Sequence, residues 1–257
     1  FQSVIDIGGA ALLIDAVVVA FTILLGAGLG RLLKMDRDTA LLTSIGSSIC
    51  GAAAVLGAEP VVKSQPYKAA VAVSTVVIFG TLSMFLYPAL FRAGMLDLTT
   101  EQMGLFTGAT LHEVAHVVGA GNAMGQAISD PAIIVKMIRV MMLAPVLVIL
   151  SIILSRREAA AGQTGQKRKI TIPWFAFLFL AVIGFNSLHL LPSGVVSAIN
   201  SLDTFLLTMA MTALGAESSF EKFKKAGARP FLLAALLYAW LFFGGYWLVK
   251  GMTAWMA

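Results

Sequence analysis

Charged residues are scarce in this sequence, and their scarcity sets the class of protein. Only 12% of the 257 residues are Asp, Glu, Lys or Arg, whereas 59% are hydrophobic, and the mean hydropathy is +0.91. A soluble domain carries about 25% charged residues, so this chain lacks much of what would hydrate a globular surface. The composition excludes an ordinary soluble domain and predicts an all-α polytopic membrane protein, with one transmembrane domain over residues 1–257.

Cysteine is nearly absent as well. Cys50 is the single cysteine, which excludes an internal disulfide and a metal site built from thiolates alone within one chain. The formal net charge is +5, but the Lys and Arg residues stand in short groups between apolar runs. This pattern is typical of topology signals in membrane proteins, and it does not favour binding to nucleic acid.

Long apolar runs dominate what is present. A bilayer core needs about 20 consecutive mainly apolar residues per helix, and such runs cover residues 8–30, 67–91, 131–155, 172–191, 195–215 and 230–249. Two further stretches, 41–58 and 105–121, are shorter or interrupted and rich in Gly, Ala, Ser and Thr. Polar, glycine-rich backbone is tolerated at membrane depth only inside protein or beside a wet cavity. We therefore expect interrupted or re-entrant helices there.

The basic loops predict the orientation. Residues 156–169 form a basic loop that we expect to be cytoplasmic, and residues 217–229 and 31–38 fit the same side. If the stretches 41–58 and 105–121 are both re-entrant, the net-positive segment 59–68 is cytoplasmic and the net-negative segment 92–101 is external. If both cross fully, these two assignments are exchanged. The charges favour the re-entrant arrangement.

Two internal repeats support the same arrangement. Residues 1–13 resemble residues 220–232 at an offset of 219, and residues 46–58 resemble residues 108–120 at an offset of 62. Each pair is predicted to be inverted across the membrane, which is how secondary transporters are built. The chain has no initiator Met and opens in mid-pattern, so we expect further N-terminal spans upstream of Phe1.

The stretch 105–121 contains the sequence HEVAH, from His112 to His116. On a continuous helix the two histidines would share one face and could bind zinc, with Glu113 as the general base of an intramembrane protease. A third zinc ligand is not evident in the sequence. Three titratable side chains at membrane depth are costly to bury and mark functional sites, so a role in transport or proton relay is the main interpretation. A purely structural role is the remaining alternative.

The stretch 41–58 contains GSSIC, a small-residue segment where a helix is expected to start or break. Ser47 and Ser48 are expected to cap that helix, and its free N–H groups favour an anion; close packing of small residues is the alternative. The predicted anion site combines residues of both stretches with two cations on the following span. The alternative for these cations is that their side chains extend to the lipid headgroups. Its members are Gly46, Ser47, Ser48, Gly51, Thr110, His112, Lys136 and Arg139.

Coupling to an ion is predicted for a second group of residues. Glu113 and His112 are the candidate carriers of a coupling proton, because buried carboxyl and imidazole groups shift their pKa readily. Asp15 lies in the middle of the span 8–30 and is a weaker candidate for a cation or a proton.

The segments GSSICGAAAVLGAEPVVK, GATLHEVAHVV, KMIRVMMLAP and LDTFLLTMAMTALG resemble the YeiH-like family of bacterial inner-membrane proteins, described as sulfate exporters. The resemblance implies a fold of the broad class of bile-acid/sodium symporters and cation/proton antiporters, with further N-terminal spans. It also implies export of a small oxyanion such as sulfate. In that family the core His-Glu-Val-Ala is typical and the position of His116 varies, which favours His112 and Glu113 over a two-histidine zinc site.

The sequence therefore predicts a secondary transporter of the inner membrane, with no enzymatic activity, no cofactor and no bound metal. The expected partners are the lipid bilayer, a small anion, and a proton or sodium ion for coupling. A homo-oligomer is compatible with this prediction.

Overall fold

A computed structural model of the chain describes residues 2–160, 190–217 and 227–256, together with residues 178, 181, 182, 184–186 and 188. The regular structure within this part is helical. The helices are α1 Gln2–Leu32, α2 Arg37–Ser48, α3 Ala52–Val62, α4 Pro66–Arg92, α5 Thr100–Thr110, α6 Val114–Met124, α7 Gln126–Met141, α8 Leu143–Ala160, α9 Ser193–Glu217, α10 Ala228–Ala239, a π-helical turn Trp240–Gly244, and α11 Gly245–Met256.

Four of the described helical segments are long and apolar enough to cross a membrane. They are Ala11–Leu32, Pro66–Arg92, Gln126–Arg156 and Ala228–Trp255. Large apolar side chains such as Leu24 and Phe85 are 71% and 67% exposed, which is favourable in lipid and costly in water. The prediction of an all-α polytopic membrane protein is therefore confirmed.

The predicted features between residues 156 and 232 are described only in part. Helix α9 covers the predicted span 195–215. Most of the span 172–191, most of the basic loop 156–169 and the beginning of the repeat at 220–232 lie outside the described residues.

Both short apolar stretches are divided into two helices. Helix α2 ends at Ser48 and α3 begins at Ala52, while α5 ends at Thr110 and α6 begins at Val114. The first break contains Gly51 at φ +68° and ψ −128°, a backbone conformation that glycine adopts at little cost. In the second break Glu113 is extended, at φ −122° and ψ 156°.

These boundaries correct two expectations. His112 lies in the second break and His116 lies in α6, so the two histidines do not share the face of one helix as the zinc interpretation requires. Ser47 and Ser48 end α2 instead of capping a helix, and the Ser48 hydroxyl donates back to the Ile45 carbonyl at 2.9 Å. The cap of α3 is Gly51.

The helix boundaries follow the 62-residue repeat. Adding 62 to both ends of α3 gives 114 and 124, the two ends of α6, and adding 62 to the end of α2 gives 110, the end of α5. The weak similarity between residues 46–58 and 108–120 therefore corresponds to one shared pattern of helix, break and helix.

Polar contacts at the two ends of α4 fix the helix ends around it. At its start, Lys68 Nζ lies 2.8 Å from carboxylate oxygens of both Asp36 and Asp38, at the beginning of α2. At its end, Arg92 Nη2 donates to the Ala123 carbonyl, near the end of α6, at 2.7 Å. Helix α4 therefore joins the region of the first interrupted helix to the region of the second.

Helix α7 packs closely against α5, and this packing places α7 beside both breaks. Gly104 faces Pro131, where an added Cβ would lie 2.6 Å from Pro131 Cγ. Gly108 faces the backbone at Ala132 and the side chain of Val135. Small residues at such contacts let helix backbones approach one another in a membrane. The close approach of α5 and α7 accompanies the burial of Lys136 and Arg139, on the second half of α7.

An aromatic pair fills the core between α4 and α5. The rings of Tyr87 and Phe106 are stacked with centroids 4.8 Å apart, and the Tyr87 hydroxyl lies 2.9 Å from Thr110 Oγ1. Tyr87 is fully buried, so its removal would leave a cavity next to the second break.

We predict that Tyr87→Ala lowers the stability of the protein in detergent by about 3–5 kcal/mol, the usual cost of truncating a buried aromatic side chain. The matched control is Tyr67→Ala, because Tyr67 is 61% exposed. Thermal unfolding of the purified variants measures the difference. Equal midpoints for the two variants would contradict the packing described here.

Candidate functional site

The two breaks meet at the side chain of Lys136. This residue lies on α7 and is fully buried. Its Nζ donates to the carbonyl of Ile49 at 2.7 Å in the first break, and to the carbonyls of Leu111 and His112 at 2.8 Å and 2.6 Å in the second. An ammonium group has three donors, so these three carbonyls use all of them.

Arg139 supports the second break from the next turn of α7. It is also fully buried, and its Nη1 and Nη2 donate to the carbonyls of Ala109 and Leu111. The last carbonyls of a helix lack partners within the helix and carry the negative end of its dipole. The two cations thus stabilise the carbonyl ends of α2 and α5, and their burial excludes snorkelling to the headgroups.

Glu113 stabilises the opposite kind of helix end. Its Oε1 accepts a hydrogen bond from the backbone N–H of Ala52, the first residue of α3, at 3.1 Å. Glu113 is itself the residue before α6, but within the described chain its carboxylate makes no capping bond to α6. A residue of the second break therefore caps the helix that follows the first break.

Gly51 makes room for that carboxylate. A Cβ added at Gly51 would lie 2.4 Å from Glu113 Cγ and 2.7 Å from its Oε1, so the Glu113 side chain would have to move. The positive φ and the position of Glu113 both favour glycine here.

Two histidines flank Glu113 on the side of α4. His116 Nδ1 lies 3.9 Å from Glu113 Oε2 and is next to Gly80, where an added Cβ would lie 2.5 Å from His116 Cε1. The ring of His112 lies 6.3 Å from that of Tyr238 on α10. Within the part of the chain that the structure describes, Nδ1 of each histidine is buried without a hydrogen-bond partner.

Asp15 is a buried carboxylate on α1. Neither of its oxygens is accessible or hydrogen-bonded to any other described residue. Arg139 and Lys136 act on it electrostatically. Asp15 is therefore a buried carboxyl group within electrostatic range of the two cations on α7.

The remaining predicted site residues line the helix ends before the breaks. Gly46 packs against Val55 and Val76, and Ser47 has a buried hydroxyl that is unpartnered among the described residues. The Thr110 hydroxyl donates to the Phe106 carbonyl at 2.6 Å. Gly46 thus serves close packing of α2 on α3, as the alternative interpretation of GSSIC requires.

Several contributors to the site have no signal in the sequence. The carbonyls of Ile49, Leu111 and Ala109 are backbone groups that any residue type supplies. Gly80 and Tyr238 come from separate helices, and nothing in their neighbourhoods marks them. Only the packing of α4, α6 and α10 brings them to the histidines.

The zinc interpretation finds no support. Among the residues that the structure describes, no three His, Cys, Asp or Glu side chains converge as metal ligands. His112 and His116 are separated by the start of α6, and His116 Nδ1 lies 3.9 Å from Glu113 Oε2, beyond hydrogen-bond distance.

Comparison with known sequences places the chain in a family. Residues 1–234 match the family described as conserved hypothetical protein 698. The chain belongs to this YeiH-like family of membrane proteins. It is 65% identical to a UPF0324 membrane protein of Bacteroides thetaiotaomicron, over 100% of this chain and 76% of that protein. It is 48% identical to the UPF0324 inner membrane protein YeiH of Escherichia coli K12, over 95% of this chain and 70% of that protein.

A UPF0324 membrane protein of Pseudomonas aeruginosa is 51% identical over 97% of this chain and 72% of that protein. No solved structure matches the chain. The relatives and the four apolar helical segments together identify a multi-pass protein of the inner membrane.

We predict that Gly51→Ala destabilises the protein more than Gly94→Ala does. Both glycines have positive φ, +68° and +66°, so an alanine at either position carries a backbone cost of at least roughly 1–2 kcal/mol. The cost is larger at position 51, because its ψ of −128° lies outside the left-handed helical region that alanine can enter. Only the alanine at position 51 also displaces Glu113, because nothing lies within 4 Å of a Cβ at position 94. Thermal unfolding in detergent tests this, and equal losses would show that Glu113 does not depend on the space at Gly51.

Proposed function

We propose that the protein is a secondary transporter, without enzymatic activity, that exports a small inorganic oxyanion by alternating access. The observation that carries this proposal is the meeting of two interrupted helices at Lys136, inside the protein. Paired broken helices with opposed ends and buried ionisable residues are the usual substrate and ion sites of secondary transporters.

The contacts of α4 support a re-entrant arrangement of both interrupted helices. Lys68, in the first turn of α4, contacts Asp36 and Asp38 at the start of α2, and α3 ends just before α4 begins. The start of α2 and the end of α3 thus belong to the same side of the membrane. In the same way, Arg92 contacts Ala123, which brings the end of α6 to the side where α5 begins.

Helix α4 is long and apolar enough to cross the membrane, so these contacts support the proposal that the two hairpins enter from opposite sides. They equally support an inverted pair for the 62-residue repeat. The side of Lys68 also carries Lys63 and the basic segment 31–38, which favours the cytoplasm for that side. The opposite side carries Asp97 and Glu101.

An anion fits this site better than a cation. The carbonyl ends of α2 and α5 would attract a cation, but Lys136 and Arg139 already occupy them. What remains for a ligand is the positive charge of these residues and the N–H ends of α3 and α6, and such groups bind oxyanions. Gly51 and His112 lie in the breaks, before these N–H ends. Gly46, Ser47, Ser48 and Thr110 lie at the carbonyl ends of α2 and α5, and their role in binding stays a prediction from the sequence. Sulfate, the anion suggested by the sequence resemblance, is the first one to test.

A proton fits the coupling role better than a sodium ion, because Lys136 and Arg139 already occupy the carbonyl oxygens of the breaks. Glu113, His112 and Asp15 are buried titratable groups next to the breaks, and Glu113 contacts both interrupted helices. Carbonyl oxygens, the ligands that a sodium ion prefers, are bonded to Lys136. A homo-oligomeric state stays a prediction from the sequence.

We predict that Glu113→Gln abolishes sulfate flux driven by a pH gradient in proteoliposomes, because glutamine keeps the shape of the side chain but cannot carry a proton. The matched control is Glu101→Gln, since Glu101 is an exposed residue of α5. Radiolabelled sulfate uptake, with and without the gradient, measures the effect. Wild-type flux in the Glu113 variant would reject the coupling role, and absence of flux in the wild type would reject sulfate transport.

A further inference from the structure

The carboxylate of Glu113 occupies the position of an anion. Its Oε1 receives the first free N–H group of α3, from Ala52, at 3.1 Å. Helix α3 has 11 residues, enough for its N-terminal N–H groups and dipole to favour negative charge. A sulfate or carboxylate ligand makes the same contact at helix N-termini. Glu113 and a bound oxyanion would therefore compete for one site.

His116, next to this site, has a buried ring nitrogen without a hydrogen-bond partner among the described residues. His116 is 2% exposed, and its Nδ1 is unpartnered among the described residues although it lies only 3.9 Å from Glu113 Oε2. A neutral Nδ1 can accept a hydrogen bond, but an ionised carboxylate has no proton to donate. A protonated Glu113 would supply one.

Other charged or titratable groups lie near Glu113 on the segments around it. Lys136 acts on it from α7, and the Cys50 thiol lies near it in the first break. His112 precedes it in the chain, close to His116 and to Tyr238. All three donors of Lys136 are bonded to carbonyls, so the exchange is assigned to Glu113 and His116.

We propose that Glu113 is an internal anion that the transported oxyanion exchanges with. In the state described here, the Glu113 carboxylate holds the N-terminus of α3. When an oxyanion binds there, Glu113 takes up one proton, leaves Ala52 and donates a hydrogen bond to His116 Nδ1. The proton comes from solvent, and no covalent bond other than the O–H bond of the carboxyl group is made.

This proposal rests on the proposed transporter function, and it fixes the ratio of protons to oxyanions. Each oxyanion bound is accompanied by about one proton, so the apparent affinity falls by about tenfold per pH unit above the pKa of the carboxyl group.

The test is calorimetric titration of the purified full chain with sodium sulfate, in two buffers that differ in ionisation enthalpy. The difference in heat gives the number of protons taken up. We expect about one proton per sulfate for the wild type and for the Glu101→Gln control. For Glu113→Gln we expect about none, together with an affinity that does not change between pH 6 and pH 8, because its amide already donates to His116.

The outcomes separate the two proposals. Equal proton uptake by the wild type and Glu113→Gln, or none by the wild type, overturns the exchange and leaves anion transport standing. Absence of sulfate binding by every variant overturns the anion site, and the exchange with it. If Glu113→Gln does not fold, the wild type alone decides, since sulfate binding without proton uptake contradicts the exchange.

Discussion

Backbone groups at membrane depth must find partners within the protein, and the structure is organised around this requirement. A break in a helix exposes carbonyls on one side and N–H groups on the other, and lipid can satisfy neither. Lys136 and Arg139 bond the carbonyls of the two breaks, and Glu113 bonds an N–H group across them. Each break therefore depends on groups that lie outside its own helix.

This mutual dependence explains the close packing of α7. The ammonium of Lys136 reaches both breaks only because Gly104 and Gly108 allow α5 to approach α7. Gly51 has the same function for Glu113, which occupies the space of the missing side chain. The small residues of this protein thus control where charges lie, in addition to how closely helices pack.

The use of protein cations at the carbonyl ends also affects the chemistry of the site. A metal ion in the same position would be free to exchange with solvent, whereas Lys136 is tethered to α7. On the N–H side, Glu113 and His116 lie 3.9 Å apart, and neither is bonded to a cation in the described part of the chain. The proposed exchange therefore uses Lys136 as a fixed positive centre and Glu113 as the group that moves.

The sequence by itself determined the class of protein, four of the long spans and the place of both interruptions, because apolar length and small polar residues act locally. It also marked Glu113, His112, Lys136, Arg139 and Asp15, because ionisable residues are rare in apolar runs. It misjudged Ser47 and Ser48 as helix caps, and the continuous HEVAH helix that the zinc alternative requires is not formed, since the position of each break depends on Gly51 and on partners elsewhere. Only the tertiary structure decided that Lys136 bonds carbonyls of both breaks and that Glu113 caps α3. Those contacts join residues 61 and 87 positions apart, and a local pattern carries no information about such distant backbone partners.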